Sequence, residues 1–118
     1  MDECNLYIGI IEPSSIVVEG LSNILLKEEL HYKIVKFDSL KELYSFKNRY
    51  KLKVMIINPS IVLANRNEFN SLKSSMPEIL WVGLVYSLFD NQTLSLFDSS
   101  IQITNSKKQI IKVLNRLN

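Results

Sequence analysis

The sequence predicts a single α/β domain in which helices cover both faces of a parallel β-sheet. Short apolar runs alternate with stretches whose apolar residues recur every three or four positions, giving strand and helix five times over the 118 residues. The run Val54-Met-Ile-Ile57 is continuously apolar, as a central strand buried on both faces should be. Because parallel strands need crossover helices, and crossovers on both faces give a doubly wound sheet, this alternation favours that architecture.

The five predicted strands are the apolar runs bounded by turn or helix-start residues. They cover residues 6–11, 32–37, 54–57, 80–86 and 101–104. The first ends at Glu12-Pro13 and two serines, which favour the start of a helix over residues 16–29. The third ends at Asn58-Pro59-Ser60, an arrangement that often terminates a strand.

The later helices have shorter signals. Ser39 and Glu42 form a capping box that predicts a helix with Leu40, Leu43 and Tyr44 buried. Phe69 and Leu72 mark a short third helix, and a brief fourth helix over residues 94–97 is predicted with Asp90 as its cap. A second capping box, Ser106-Lys-Lys-Gln109, opens a last helix striped by Ile110, Leu114 and Leu117.

Composition excludes several classes of protein. Apolar residues make up 47% and charged residues 22%, which is ordinary for a globular domain, and the net charge of +2 is too small to indicate a nucleic-acid surface by itself. Cys4 is the one cysteine, so no internal disulfide forms, and the N-terminus lacks the form of a signal peptide. We therefore expect a cytoplasmic protein. His31 is the single histidine and lacks the partners of a metal or catalytic site.

In a doubly wound sheet, ligands bind beyond the carboxyl ends of the strands. In this sequence those ends are residues 12–13, 58–59, 86–87 and 104–105. The loop after the first strand, Glu12-Pro-Ser-Ser15, lacks the glycines that would let backbone amides cradle a phosphate. No GxGxxG, GxxxxGK[ST], GxSxG or HExxH pattern is present.

The layout resembles the receiver domain of bacterial two-component response regulators, in particular those that precede a helix-turn-helix output domain of the LuxR/NarL type. The resemblance covers nearly the whole chain in element order. Its most specific stretches are residues 10–25 (IIEPSSIVVEGLSNIL), residues 55–60 (MIINPS) and residues 83–87 (GLVYS). It implies a flavodoxin-like (βα)5 fold with strand order 2-1-3-4-5, with the fourth helix shortened because residues 86–104 are short for the family.

The sequence departs from the family at the positions that carry its chemistry. A working receiver holds Mg²⁺ with two acidic residues after strand one and an acceptor aspartate after strand three, and a lysine follows strand five. Here those positions fall on Glu12 and Pro13, on Asn58, and on Thr104. An amide cannot attack as the usual carboxylate does, one carboxylate is a poor anchor for Mg²⁺, and threonine supplies no cation. We therefore expect a degenerate receiver with no catalytic residue, no cofactor and no metal, Glu12 being at most a weak residual ligand.

Individual pocket residues have competing interpretations. Glu12 is either that residual ligand or, more simply, a solvated acid near a helix start. Asn58 either fixes its loop through amide hydrogen bonds or only terminates a strand. The switch hydroxyl position falls on Tyr86, or on Val85 if the register is one residue off. The Tyr86 ring either fills the space of a phosphate and metal or is half-buried with a hydrated hydroxyl.

The surface beside the fourth and fifth helices and the fifth strand is the expected contact for a protein partner or a second copy, as receivers commonly dimerise there. The interface candidates are Leu88, Phe89, Leu96, Phe97, Lys108 and Lys112. A truncated fourth helix would leave the apolar members of this set near an edge, where exposed apolar groups favour a protein contact. The basic residues of the last helix are otherwise a solvated face.

The predicted function is that of a non-enzymatic regulatory and dimerisation module of a signal-transduction transcription regulator, acting without phosphorylation. Residues 1–118 would precede a DNA-binding domain, through which alone the protein would contact DNA. Two alternatives stay open. A conventional receiver could use a displaced carboxylate, for which Asp90 is the nearest candidate, or the vacated pocket could bind a small molecule.

Overall fold

The computed structural model describes residues 6–27, 32–85, 91–102 and 107–117. Five strands form one parallel sheet in the order β2-β1-β3-β4-β5. Their bounds are β1 Leu6–Ile11, β2 Tyr32–Lys36, β3 Leu52–Ile57, β4 Leu80–Val85 and β5 Ser99–Gln102. The predicted fold class and strand order are therefore confirmed, as is the buried character of the central strands.

Six α-helices and one short 3₁₀-helix are present in the described part of the chain. The bounds are α1 Ser15–Lys27, α2 Glu42–Ser45, the 3₁₀-helix Arg49–Lys51, α3 Pro59–Ala64, α4 Arg66–Ser75, α5 Asn91–Leu94 and α6 Lys107–Leu117. None of these helices is long and apolar enough to cross a membrane.

The sheet separates two apolar clusters. One face packs against α2, α3 and α4, with Leu43, Val62 and Phe69 among its fully buried side chains. The other face packs against α1 and α6, which contribute Leu21, Leu25, Ile110 and Leu114. Successive residues of β3 belong to opposite clusters, so this central strand joins the two halves of the core.

The start of α1 agrees with the expectation. Ser14 precedes the helix, and its hydroxyl oxygen accepts a hydrogen bond from the Val17 amide at 3.4 Å, which satisfies one of the free N–H groups at a helix start. The predicted end at residue 29 lies outside the described residues.

The predicted second helix is wrong at its start and on one of its buried residues. The helix begins at Glu42, after a turn in which Leu43 N–H donates to Leu40 C=O. Glu42 accepts a hydrogen bond from the Asp38 amide at 2.9 Å, one position before the serine of the supposed capping box. Leu40 and Leu43 are buried as expected, but Tyr44 is 38% exposed, because so short a helix buries only one narrow side.

The connection after β3 is more helical than predicted. Instead of one weak helix around Phe69, two helices run from Pro59 to Ser75 with a break at Asn65. The first begins at once because Asn58 caps it and Pro59, with its fixed φ, occupies a first-turn position.

Two boundaries near the C-terminal half also differ. The short fourth helix is observed as α5, but at Asn91–Leu94, three residues earlier than predicted. Strand β5 begins at Ser99 rather than at Ile101, because Ser99 and Ser100 pair with β4 despite their polar side chains. Pairing with a neighbouring strand therefore overrides the apolar run as the signal for where this strand starts.

Candidate functional site

The ends of β1 and β3 lie side by side at the carboxyl edge of the sheet. Ile11 is paired with Ile57, and the Asn58 amide donates to the Ile11 carbonyl oxygen at 3.1 Å. This pairing brings Glu12 and Asn58 together although 46 positions separate them in the sequence. The two residues form the centre of the candidate site.

Glu12 is buried, with 3% of its surface exposed, so the expectation of a solvated loop acid is wrong. One carboxylate oxygen accepts from the Ser14 amide at 2.8 Å and the other from the Asn58 Nδ2 group at 3.2 Å. A buried carboxylate is costly unless hydrogen bonds compensate for lost water. Glu12 therefore depends on the loop turn of Ser14 and on the amide of Asn58.

Asn58 uses both ends of its side chain. Its Nδ2 donates to Glu12, while its Oδ1 accepts from the Ser60 amide at 2.9 Å and from the Ser60 hydroxyl at 2.6 Å. The hydrogen bond from the Ser60 amide to the Asn58 side chain caps the start of α3. Of the two interpretations of Asn58, the structure supports the one in which its amide fixes the loop. The side chain links the ends of two strands and also caps the start of a helix.

An ionised aspartate could not make this set of contacts. A carboxylate only accepts hydrogen bonds, so it could cap α3 but could not donate to Glu12. The amide is the group that lets the buried acid after β1 and the helix start after β3 share one side chain. Ser60 completes this arrangement and was missed from the sequence, although the Asn-Pro-Ser order, with a hydroxyl two residues after an Asx side chain, carries the signal.

Solved structures with a similar fold include a CheY-like protein and several response regulators. The CheY-like protein TadZ from Pseudomonas aeruginosa PAO1 matches with a TM-score of 0.77 at 19% identity, over 97% of this chain and 100% of that chain. A response regulator from Thermotoga maritima matches with a TM-score of 0.72 at 13% identity, over 96% and 97% of the two chains. The RcsB response regulator of Salmonella typhimurium gives a TM-score of 0.75 at 16% identity, and the match spans 98% of this chain but 60% of RcsB.

The chain has the fold of a response-regulator receiver domain. No protein-family model and no curated protein matches its sequence, so the likeness is one of fold. Within the receiver fold, Glu12 and Asn58 occupy the ends of β1 and β3 where the resemblance implies an acidic residue and the acceptor aspartate.

The residues present do not fit the Mg²⁺ ion that working receivers hold. Mg²⁺ requires a nearly octahedral set of oxygen ligands that includes carboxylates. Both Glu12 oxygens and the Asn58 oxygen already accept hydrogen bonds, and Pro13 offers no side-chain ligand. Among the described residues, no group of three or more His, Cys, Asp or Glu side chains is placed to hold a metal.

Two members of the predicted pocket, Tyr86 and Thr104, lie outside the described residues, as do Leu88, Phe89 and Asp90. The hypothesis that the Tyr86 ring fills the pocket stays a prediction. Val85, the alternative switch position, is the last residue of β4 and is buried.

The described interface candidates separate into two kinds. Phe97 is not an exposed edge residue as expected, because only 9% of its surface is accessible and its ring packs on Phe69 with a centroid distance of 6.0 Å. The room for this ring comes from Gly83, where an added Cβ would lie 3.1 Å from the ring. Leu96 is half-buried, whereas Lys108 and Lys112 are exposed, as a solvated or partner-binding helix face requires.

A cavity of about 410 Å³ lies at the same edge of the sheet, beside the Glu12–Asn58 pair. Its lining includes Pro13, the segment after β2 and residues of α3 and α4. Neither Glu12 nor Asn58 is among the residues that line it. The space next to the site is thus separate from the Asn58 side chain.

Proposed function

We propose that this chain is a degenerate receiver, a non-enzymatic signalling module that works without phosphorylation and without Mg²⁺. The hydrogen bond from Asn58 Nδ2 to the buried Glu12 carboxylate carries this proposal. This hydrogen bond puts a neutral amide donor at the place where an acceptor carboxylate and a metal ion would have to meet. A carboxylate nucleophile is absent from that position, so the acyl phosphate of the family has no atom on which to form.

The test is phosphorylation by acetyl phosphate in the presence of Mg²⁺, followed by intact mass measurement, with a conventional receiver as the positive control. We expect no mass gain for the wild-type chain. We also expect none for Asn58→Asp, because Pro13 still supplies no metal ligand. A gain of one phosphoryl group in the wild type, mapped to Asp90 or another carboxylate, would falsify the proposal and favour a displaced acceptor.

The proposed setting is a cytoplasmic transcription regulator of the LuxR/NarL type. The RcsB protein supports this, since RcsB has been solved bound to the promoter rprA and the match spans 60% of the RcsB chain. Sequence-specific contact with DNA would then belong to an attached output domain, and the receiver fold would regulate that domain.

The regulatory contact is proposed on the face formed by α5, β5 and α6, with a protein partner or a second copy. The exposed Lys108 and Lys112 of α6 and the half-buried Leu96 support this placement. Phe97 supports it less than expected, because its ring packs into the core.

A further inference from the structure

A cavity of about 240 Å³ lies where β3 and β4 begin, at the edge of the sheet opposite to the candidate functional site. One wall is the segment that leads into β3, with Arg49, Tyr50 and Leu52, and the other is the turn from α4 to β4, residues 75–79. The cavity is smaller than the pockets of about 300–1,000 Å³ that hold drug-sized ligands. It therefore suits one inserted side chain better than a whole small molecule.

The interior of the cavity is largely apolar. Leu52, which begins β3, and Ile79, which precedes β4, are both buried, and Met76 and Pro77 add to the apolar lining. An apolar side chain that enters the cavity leaves water, which is favourable in proportion to the area covered. The lining therefore selects an apolar anchor on the molecule that binds.

The wall before β3 is strongly basic. Residues 47–53 include four cations and no acid. In the described part of the chain the one ion pair joins Lys36 and Asp38, so none of these four cations is paired with a described carboxylate. A concentration of unpaired positive charge beside an apolar cavity is complementary to an acidic partner.

Two residues of this wall are placed to contact a partner. Arg49 is exposed, and its Nη1 donates to the Tyr44 carbonyl oxygen at 2.6 Å, which restrains the guanidinium beside the cavity. Tyr50 lines the cavity with 70% of its surface exposed, and the Lys51 ammonium lies 5.9 Å from the centre of the Tyr50 ring. Arginine and tyrosine are enriched among the residues that contribute most to protein interfaces.

The opposite wall carries an acid. Glu78 is exposed in the turn between α4 and β4 and lines the same cavity as Arg49. A nucleic-acid strand in this cavity would bring phosphates near the Glu78 carboxylate, which repels them. A polypeptide can instead present an acidic residue to the basic wall and a neutral or basic residue to Glu78. The charges on the two walls thus favour a protein segment and set its orientation.

We propose that this cavity is a docking site for a segment of another protein that carries an apolar residue with acidic residues on one side of it. The apolar side chain enters the cavity, and the acidic residues contact Arg49 and Lys51. No residue of α5, β5 or α6 lines the cavity, so the site is separate from the α5–β5–α6 face. It also lies far from the position of the acceptor, so its occupation requires no phosphorylation.

The test is a selection of random peptides, displayed on phage, against the immobilised wild-type chain. The enriched peptides should share an apolar residue with Asp or Glu on one side. A second selection against Glu78→Lys should enrich peptides with acidic residues on both sides of the apolar residue, because the opposite wall is then basic too.

Fluorescence polarisation then gives the Kd of the peptides enriched on the wild type. Arg49→Glu with Lys51→Glu should raise this Kd by at least about tenfold. Lys51→Glu alone, which keeps the Arg49 contact with Tyr44, should raise it less. Lys108→Glu with Lys112→Glu is the matched control, the same change of charge at two exposed lysines of α6, and should leave the Kd unchanged. Circular dichroism of each variant checks that the fold is retained.

Several outcomes overturn the inference. They include a selection that enriches no peptide, enriched peptides that lack acidic residues, and a Kd that the changes at Arg49 and Lys51 leave unaltered. A Kd that rises in the α6 variant places the peptide on the α5–β5–α6 face instead. A single-stranded oligonucleotide that binds the wild type and is lost in the Arg49 and Lys51 variant identifies a nucleic acid as the occupant. A wild-type dimer in light scattering that the same two changes dissociate identifies a second copy.

Discussion

At the scale of single residues, the site is a hydrogen-bonded pair rather than a set of ligands. In the described part of the chain, the Asn58 side chain contacts both Glu12, the buried acid that follows β1, and the first turn of α3. Its identity therefore matters for stability as well as for the proposed loss of phosphorylation. The buried acid and the first turn of α3 would interact differently with a carboxylate at position 58 than with the amide. Substitution of this residue therefore tests the pair directly.

Asn58→Asp should destabilise the protein by about 1–3 kcal/mol. The aspartate can still cap α3, but it replaces a donor by a second carboxylate next to the buried Glu12. Adding Glu12→Gln should recover most of the loss, because the glutamine amide can then donate to the aspartate. Urea denaturation of the three proteins measures this. No recovery in the double variant would mean that the cap, and not the Glu12 contact, accounts for the cost.

Gly9→Ala should destabilise the protein by about 1–3 kcal/mol, because the core has no room for a methyl group there. An added Cβ would overlap the Met55 sulfur and lie 2.8 Å from the Phe37 ring. Gly20→Ala is the matched control, since a Cβ there meets nothing within 4 Å, and it should stabilise α1 by about 0.5–1 kcal/mol. Thermal unfolding at low protein concentration compares them, and equal effects at the two positions would contradict this account of the packing.

At the scale of elements, the strands follow the sequence closely and the helices do so less. A strand buried on both faces must be apolar throughout, so β1 and β4 could be located almost to the residue. The short helices α2 and α5 have four residues each, too few for a periodic pattern to fix their ends. Their positions depend on how the flanking chain packs in the folded protein, and the local sequence carries no signal for that packing.

One contact holds the edge of the sheet at the β4–β5 connection. Asp98 accepts a hydrogen bond from the Trp81 amide at 2.7 Å through Oδ2, and its own amide donates to the Trp81 carbonyl at 2.8 Å. The hydrogen bonds of Asp98 thus extend the pairing of β4 to the residue just before β5 begins. This contact explains why β5 starts at a serine pair instead of at the apolar residues that follow.

Asp98→Ala should cost about 1–3 kcal/mol, because it leaves the buried Trp81 amide without an acceptor. Asp98→Asn keeps an oxygen in the same position and should cost clearly less. Urea denaturation separates the two variants, and hydrogen exchange of the Trp81 amide should speed up in the alanine variant alone. Equal exchange in both would show that the aspartate oxygen does not protect this amide.

At the scale of the whole molecule, the two apolar clusters are two faces of the same sheet. Val54 and Ile56 belong to one cluster, and Met55 and Ile57 belong to the other. Because the central strands contribute side chains to both clusters, disruption of one cluster also disrupts the strands that hold the other. We therefore expect the described core to unfold as one cooperative unit.

The single tryptophan offers a probe for this expectation. Trp81 is 1% exposed and packs edge-to-face on Phe69 at 4.9 Å, so its fluorescence reports on one cluster, while far-ultraviolet circular dichroism reports on all elements. The two urea transitions should share one midpoint, with a slope of about 1–3 kcal/mol per molar urea. Separate midpoints would show that the α1–α6 side unfolds independently.

The sequence by itself determined the fold class, the strand order implied by the resemblance, and the presence of an amide, Asn58, after the third strand. The fold class depends on the period of the apolar residues, the strand order on the resemblance to receiver domains, and the position of Asn58 on which residue follows the third strand; all of these can be read along the chain. Only the tertiary structure decided that Glu12 is buried and bonded to Asn58 and that Phe97 fills the space left by Gly83. Burial and partnership arise between segments far apart in the chain, so no local pattern could supply them.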